Sequence, residues 1–202
     1  MLTSTSRPAT RSICVFAGSS FGTDPQFAHA ASELARELVA RGYGLVYGGA
    51  RVGLMGAVAD GVLQCGGTVT GVIPDFLGDK EIAHQGLTEL KVVSSMHERK
   101  DTMAKLADGF IALPGGFGTI EEFFEVLTWA QLGLHAKPCG LLDIGGYFDH
   151  LLRFLDHAVV NQLLKPVNRS MVLVDEDPRA LLERFDTYAP PAVTKWIRAD
   201  VT

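Results

Sequence analysis

The chain has 202 residues, of which 47% are hydrophobic and 20% are charged, with a formal net charge of -5 and a pI near 5.6. A chain of this size can fold as one domain that buries about 70% of its unfolded surface, without a disulfide or metal staple. The acidic balance argues against a nucleic-acid-binding surface, which normally presents a basic stripe. Any phosphate group must therefore be held locally.

Cysteine and hydropathy patterns predict a cytoplasmic protein without a membrane partner. The chain contains no continuous apolar run of ~18 residues, and its first eleven residues are polar, unlike a signal peptide. Cys14, Cys65 and Cys139 are odd in number and lack metal-binding spacing, so we expect three buried thiols in a reducing compartment. The six histidines are scattered and HExxH is absent, which predicts neither a metal site nor a cofactor.

Apolar runs and helical patterns alternate along the chain, which is typical of parallel strands joined by helical crossovers. The predicted elements, in chain order, are a strand at 13–17, a helix at 25–41, a strand at 45–47, a helix at 54–65, strands at 68–73 and 90–93, a helix at 96–107, a strand at 110–113, a helix at 119–132, a strand at 139–143, a helix at 148–161, a strand at 171–174 and a helix at 178–185. We therefore predict a Rossmann-like, doubly wound parallel sheet in a three-layer α/β/α sandwich.

The domain limits follow from the same pattern. Residues 11–187 form one predicted domain, preceded by a disordered leader at 1–10 and followed by a tail at 188–202. The stretch 75–88 is the one long irregular connection. Because ligands of doubly wound sheets bind beyond the carboxyl ends of the strands, we expect the functional site in the loops that follow them.

Three of those loops are small or rich in glycine, at 18–20, 48–53 and 114–119. Glycine lets the backbone approach a ligand, and a following helix N-terminus then offers N–H groups to an anion. One such loop is compatible with a tight turn alone, but three at one sheet edge favour phosphate binding. Glu121 stands where the dinucleotide fingerprint needs its third glycine, and no P-loop motif occurs.

Arg99 is the first candidate for chemistry. Projecting residues 96–107 on a helix places Arg99 on an inward arc with Met96, Met103, Leu106 and Ala107. A buried guanidinium needs an anionic or carbonyl partner. The alternatives are a core ion pair or a snorkelling side chain. The segment 95–98, SMHE, is predicted to be a capping box that starts this helix.

Glu122 is the second candidate. On the helix at 119–132 it flanks the apolar stripe and points toward the cleft, whereas Glu121 and Glu125 face the other way. The alternative is that Glu122 completes a capping box with Thr119. The stripe itself consists of Ile120, Phe123, Val126, Leu127 and Ala130; Phe124, Trp129 and Leu132 extend the apolar surface, which indicates either a partner subunit or core packing.

The segment 114–122, PGGFGTIEE, resembles the PGGxGTxxE motif of the LONELY GUY family, the cytokinin riboside 5'-monophosphate phosphoribohydrolases. The segments CVFAGSS at 14–20, YGGARVGLMG at 47–56 and MHERK at 96–100 are also similar, in the family's order and spacing. Together these motifs extend over residues 13–138, and none departs from the family pattern.

This resemblance implies that Arg99 and Glu122 are the catalytic pair. It also implies a substrate-binding set around a nucleoside 5'-monophosphate and, since the family is usually dimeric, a homodimer without a cofactor. The implied substrate-binding residues are Ser20, Gly49, Asp75, Met96, Lys100, Gly115, Gly116, Gly118 and Thr119. The older label of lysine decarboxylase finds no support, because the chain lacks a recognisable pyridoxal-phosphate lysine site.

The proposed reaction breaks the bond between ribose 5-phosphate and an adenine-type base, with Glu122 stabilising the cationic sugar or orienting water and Arg99 keeping that carboxylate ionised. Two other functions stay open at this point. One is a carrier of a nucleotide or of the molybdenum cofactor, and the other is a nucleotide sensor whose dimer state responds to ligand. The sequence does not distinguish AMP from its N6-prenylated form.

Overall fold

The computed structural model of the chain describes residues 11–77 and 83–191. Seven strands form one sheet in this part of the chain: β1 Ser12–Phe16, β2 Gly44–Tyr47, β3 Val69–Pro74, β4 Glu89–Val93, β5 Gly109–Ala112, β6 Cys139–Leu142 and β7 Val172–Asp175. The helices are α1 Pro25–Ala40, α2 Gly53–Gln64, α3 Asp75–Leu77, α4 Met96–Leu106, α5 Phe117–Leu132, α6 Asp149–Val160, α7 Pro166–Arg169 and α8 Pro178–Asp186, with a 3₁₀ turn at Ile144–Gly146.

All neighbouring strands are parallel, in the order β4-β3-β2-β1-β5-β6-β7. The central strands are almost continuously apolar because helices cover both faces of the sheet. In β1, Ile13 and Val15 point into one core, which α1, α2 and α8 close, while Cys14 and Phe16 point into the other, which α4, α5 and α6 close. The molecule is therefore a three-layer sandwich with two cores.

The order of the strands creates one switch point. From β1 the chain builds outward through β2, β3 and β4, and then crosses to the other side of β1 to form β5. The loops after β1 and β5 therefore diverge above adjacent strands and leave a crevice between them. Two of the three glycine-rich loops, 18–20 and 114–119, flank this crevice.

The structure confirms the predicted fold class, and every predicted strand and helix is present with its ends shifted by at most two residues. Asp24 caps α1 as its sequence suggests, with its side chain accepting a hydrogen bond from the N–H of Gln26 at 2.9 Å. The short elements α3, α7 and the 3₁₀ turn were not predicted, because three or four residues are too few to show a periodicity. The leader 1–10 and residues 192–202 of the predicted tail lie outside the described residues, and Tyr188 still packs on the core.

Three burial predictions were wrong. Cys65 is exposed, since it lies at the C-terminal end of α2 beyond the last core contact. Met96 and Leu106 are 37% and 38% exposed, because α4 rests on the sheet through a stripe in which only Arg99 and Met103 are buried.

No helix in the ranges 11–77 and 83–191 has the length and apolarity needed to cross a bilayer.

Candidate active site

The N-terminal cap of α4 determines where Arg99 enters the structure. The Ser95 hydroxyl accepts a hydrogen bond from the Glu98 N–H at 3.2 Å, as the predicted capping box requires. The Glu98 carboxylate accepts from both the N–H and the hydroxyl of Ser94, at 2.8 and 2.6 Å, instead of from Ser95. These bonds fix the first turn of α4 so that its fourth residue, Arg99, points at the sheet.

Arg99 and Glu122 form a buried ion pair across the carboxyl ends of the strands. Nη1 of Arg99 lies 3.3 Å from Oε1 of Glu122, and each side chain is only 11% exposed. Nε of Arg99 also donates to the Val72 carbonyl of β3 at 3.2 Å, so both ends of the guanidinium are held. The two side chains point inward and toward each other, as the sequence analysis expected.

Gly48, directly after β2, makes room for this guanidinium. A Cβ atom at Gly48 would lie 2.0 Å from Nη2 of Arg99 and 2.7 Å from Cε of Met55. Any side chain at this position would therefore displace Arg99. The sequence analysis treated Gly48 only as part of a loop, and the double glycine after a strand was the available signal.

Glu122 is not a capping residue, so that alternative was wrong. Helix α5 begins at Phe117, two residues earlier than predicted, with Gly116 as its N-cap. Thr119 is therefore already inside the helix, and the Glu122 carboxylate is free to pair with Arg99. The earlier start reflects the glycines at 115, 116 and 118, which let the chain turn into the helix without a side-chain cap.

The charge of Arg99 does not fully compensate for the burial of Glu122. Burial raises the pKa of Glu122, and the positive charge of Arg99 opposes this shift without cancelling it. The sequence analysis expected Arg99 to keep this carboxylate ionised; Arg99 acts in that direction, but burial has the larger effect on the pKa of Glu122. Beneath the pair, burial also raises the pKa of the Cys14 thiol, with Glu122 adding to the effect, so this thiol stays protonated.

The N-terminus of α5 has the features of an anion site. Its N-cap makes no side-chain hydrogen bond, so the N–H groups of the first turn have no acceptor within the helix. Gly116 and Gly118 are exposed, and space is open beside both of their α-carbons. Glu122 follows Phe117, the first residue of α5, by five positions, which corresponds to a rise of about 7–8 Å along the helix axis between the helix end and the residue that carries the carboxylate.

The loop after β5 is held in shape by its neighbours. The N–H of Gly18 donates to the Pro114 carbonyl at 3.1 Å, which ties the two crevice loops together. Thr119 is buried and folds back on Gly115, where a Cβ atom would lie 2.1 Å from the threonine hydroxyl. Gly115 and Thr119 therefore line the inner side of the loop 114–119, the candidate phosphate cradle, while Gly116 and Gly118 face its open side.

The loop after β1 is fixed by α2. Gly53 begins α2 with a φ of +56°, and a Cβ atom there would lie 2.3 Å from the backbone of both Ser19 and Ser20. This close contact holds Ser20, which is exposed, at the edge of the crevice. Gly53 was not predicted as a functional residue, and a positive φ cannot be read from the sequence alone.

Three further residues were predicted to bind substrate, and they lie in different surroundings: Met96, Lys100 and Asp75. Met96 borders the ion pair, with its sulfur 3.8 Å from Nη1 of Arg99. Nζ of Lys100 lies 2.6 Å from Glu121 and 3.0 Å from Glu125, so this ammonium joins α4 to α5. Asp75 is exposed at the start of α3, where its carboxylate accepts from the N–H of Phe76. Their contact with a substrate stays a prediction.

Gly49 is anchored to the connection that follows α3. It has a φ of +76°, and its carbonyl accepts from the N–H of His84 at 2.9 Å. The His84 ring accepts from the Gly86 N–H at Nδ1 and donates from Nε2 to Asp60, both at 3.0 Å. His84 therefore joins this connection both to the loop after β2 and to α2, a role that the sequence analysis did not predict.

In the ranges that the structure describes, no cluster of three or more His, Cys, Asp or Glu side chains is arranged to hold a metal ion. The chemistry available at the crevice is that of a buried carboxylate–guanidinium pair beside an uncapped helix N-terminus. Fold and site together define a class: doubly wound α/β proteins with an uncapped helix N-terminus and a buried acid at the switch point.

Comparisons with known proteins narrow this class. Residues 55–185 match a family model described as "Possible lysine decarboxylase". A cytokinin riboside 5'-monophosphate phosphoribohydrolase of Rhodococcoides fascians is 52% identical over 172 residues, which cover 85% of this chain and 87% of that protein. An Arabidopsis thaliana protein of the same name is 48% identical over 178 residues, covering 88% and 78%. The chain belongs to this family, the LONELY GUY phosphoribohydrolases.

Solved structures show the same fold at greater distance. The molybdenum cofactor carrier protein of Chlamydomonas reinhardtii superposes with a TM-score of 0.67 at 22% identity, covering 89% of this chain and 99% of that one. The molybdenum cofactor binding protein of Rippkaea orientalis gives 0.66 at 20% identity, covering 88% and 96%. At this identity the likeness concerns the fold alone.

Proposed function

We propose that this protein hydrolyses the N-glycosidic bond of an adenine-type nucleoside 5'-monophosphate, including N6-modified forms, to the free base and ribose 5-phosphate. The observation that carries the proposal is the buried Arg99–Glu122 pair, about one and a half helical turns from the uncapped N-terminus of α5. This spacing matches a ribose ring whose 5'-phosphate lies on the helix end and whose anomeric carbon lies near the carboxylate. The close family members carry the corresponding activity in their names.

Cleavage of this bond leaves positive charge on the sugar and negative charge on the base. Glu122, as a carboxylate, stabilises the cationic anomeric carbon and accepts the proton of the attacking water, whose oxygen bonds to that carbon. Its raised pKa suits this task, because a base whose pKa is nearer to neutral accepts a proton more readily. The proton returns to the departing base, so the reaction consumes one water in total.

Arg99 and the phosphate cradle supply the remaining rate enhancement. General base catalysis typically accelerates a reaction by about 10²- to 10⁴-fold, which is less than an enzyme needs for this reaction. Arg99 keeps Glu122 in place and partly offsets the free energy of burying its charge. The 5'-phosphate, bound to the first turn of α5, provides binding energy that positions the reacting carbon without touching the breaking bond.

Lys100, the lysine whose charge acts on Glu122, does not have the properties of a Schiff-base lysine. Although burial lowers the pKa of its ammonium, the hydrogen bonds with Glu121 and Glu125 outweigh this effect and raise it overall. A lysine that forms a Schiff base needs the opposite shift. In the structure Lys100 serves as an ion-pair partner between two helices.

The test is base release measured by chromatography with AMP, N6-isopentenyl AMP and adenosine. We expect both nucleotides to be cleaved and adenosine to react barely at all; equal turnover of adenosine and AMP would contradict the proposal. The Glu122→Gln and Arg99→Ala variants should lose base release and stay folded. Glu121→Gln is the matched control, because this neighbouring carboxylate is exposed. Tight nucleotide binding by the wild type without base release would instead support a carrier or sensor.

We also propose that the chain forms a homodimer. Support comes from apolar side chains on the α4 and α5 side of the sheet. Phe124 and Trp129 on α5 are only partly covered by the core, and Leu106 on α4 is 38% exposed. Light scattering coupled to size-exclusion chromatography measures the molar mass directly, and a monomer at micromolar concentration would contradict this assignment.

A further inference from the structure

Tyr147 contacts the phosphate cradle from the neighbouring strand β6. It follows the 3₁₀ turn after β6, and its hydroxyl donates to the Gly115 carbonyl at 2.7 Å. Its ring is held edge-on by Phe27 of α1 and by Phe148, with ring centroids 5.5 and 5.0 Å away. No motif in the sequence points to this residue, since the contact joins positions 32 residues apart.

The Gly115 carbonyl belongs to the peptide that links Gly115 to Gly116. In a trans peptide the carbonyl and the N–H point in opposite directions, so a bond that fixes the carbonyl also fixes the N–H. A peptide between two glycines turns over at a low steric cost, because neither residue carries a Cβ atom. If this peptide turned over, its carbonyl oxygen would face the anion and repel it.

We propose that Tyr147 is a positioning residue for the phosphate cradle: its hydroxyl holds the Gly115–Gly116 peptide so that the N–H of Gly116 faces the substrate's 5'-phosphate. The Tyr147 hydroxyl has one hydrogen, which it donates to the Gly115 carbonyl, so it can only accept further hydrogen bonds. Tyr147 therefore acts through the peptide and does not donate to the phosphate itself. This inference rests on the proposed function for the identity of the anion.

The Tyr147→Phe variant tests it, because it removes the hydroxyl and keeps the ring contacts with Phe27 and Phe148. Calorimetric titration with ribose 5-phosphate and, separately, with adenosine distinguishes phosphate binding from the rest of the site. A hydrogen bond of ordinary net strength corresponds to about a fivefold effect. We expect the Kd for ribose 5-phosphate to rise about fivefold or more, the kcat/KM for AMP to fall by a similar factor, and the Kd for adenosine to stay unchanged.

Tyr43→Phe is the matched control. The Tyr43 hydroxyl donates to the Asp186 carboxylate. Tyr43 lies just before β2, at the amino ends of the strands and away from the crevice. This variant also loses one tyrosine hydrogen bond, yet it should keep the wild-type affinity for both ligands.

Two outcomes would overturn the inference: an unchanged affinity of Tyr147→Phe for ribose 5-phosphate, or an equal loss of affinity for ribose 5-phosphate and adenosine, which would show a merely structural role. A different result would contradict the proposed function without affecting the role of Tyr147. A wild type that binds ribose 5-phosphate but never releases base would refute the hydrolase proposal and leave the role of Tyr147 standing.

Discussion

The Gly48→Ala substitution adds one methyl group against the Arg99 guanidinium, and its effect can be worked out from the structure. The new Cβ would lie 2.0 Å from Nη2 of Arg99, whereas ordinary contacts are about 3.5 Å. The guanidinium must therefore move by more than ~1 Å, which breaks or distorts its 3.3 Å contact with Glu122. Since a misplacement of ~1 Å in a catalytic group costs about 10²-fold in rate, we expect kcat/KM for AMP to fall by about that factor.

The fold should survive this substitution. The two atoms that the methyl group meets, Nη2 of Arg99 and Cε of Met55, are the ends of flexible side chains and not backbone. We therefore expect a loss of about 1–3 kcal/mol at most in the free energy of unfolding, measured by chemical denaturation.

Gly44→Ala is the matched control for this prediction. It adds a methyl group at the other end of β2, where the nearest atoms are the hydroxyls of Thr68 and Ser12 at 2.9 and 3.1 Å. This variant should keep its kcat/KM for AMP. A Gly48→Ala enzyme with wild-type kcat/KM would refute the reasoning, because it would show that the position of Arg99 does not matter.

Two further predictions concern titration and the His84 contact. Because burial raises the pKa of Glu122, kcat/KM should rise with pH along an acid limb whose midpoint lies above the ordinary carboxyl value of 4.5. The same shift destabilises the charged form, so the stability of the wild type relative to Glu122→Gln should fall as pH rises from the unfolded-state pKa through the folded one; a constant difference across that range would contradict the burial argument. His84→Ala removes the hydrogen bonds that its ring makes with Asp60 and Gly86, and should lower the free energy of unfolding by about 1 kcal/mol and raise the KM for AMP, whereas His84→Gln, which can still donate to Asp60, should recover part of both in the same assays.

Much of the fold could be predicted from local patterns. The alternation of apolar runs with amphipathic stretches determines parallel strands with helical crossovers, since few other arrangements bury those surfaces. The periodicity of residues 96–107 correctly placed Arg99 inward, but it also predicted burial for Leu106, which lies at the end of α4 and is 38% exposed. Periodicity gives a direction for each side chain; it does not show where the neighbouring surface ends.

For the candidate site, too, the sequence predicted the residues involved and the tertiary structure determined their contacts. The sequence by itself determined which residues are candidates for the chemistry: an arginine on an apolar arc and a glycine-rich strand-to-helix loop stand out, and the family motifs imply their roles. Only the tertiary structure decided how they meet: α5 starts at Phe117 and releases Glu122 from capping, burial outweighs Arg99 in setting the pKa of Glu122, and Tyr147 reaches the cradle from β6. These properties depend on distances between segments far apart in the chain, and sequence spacing carries no information about such distances.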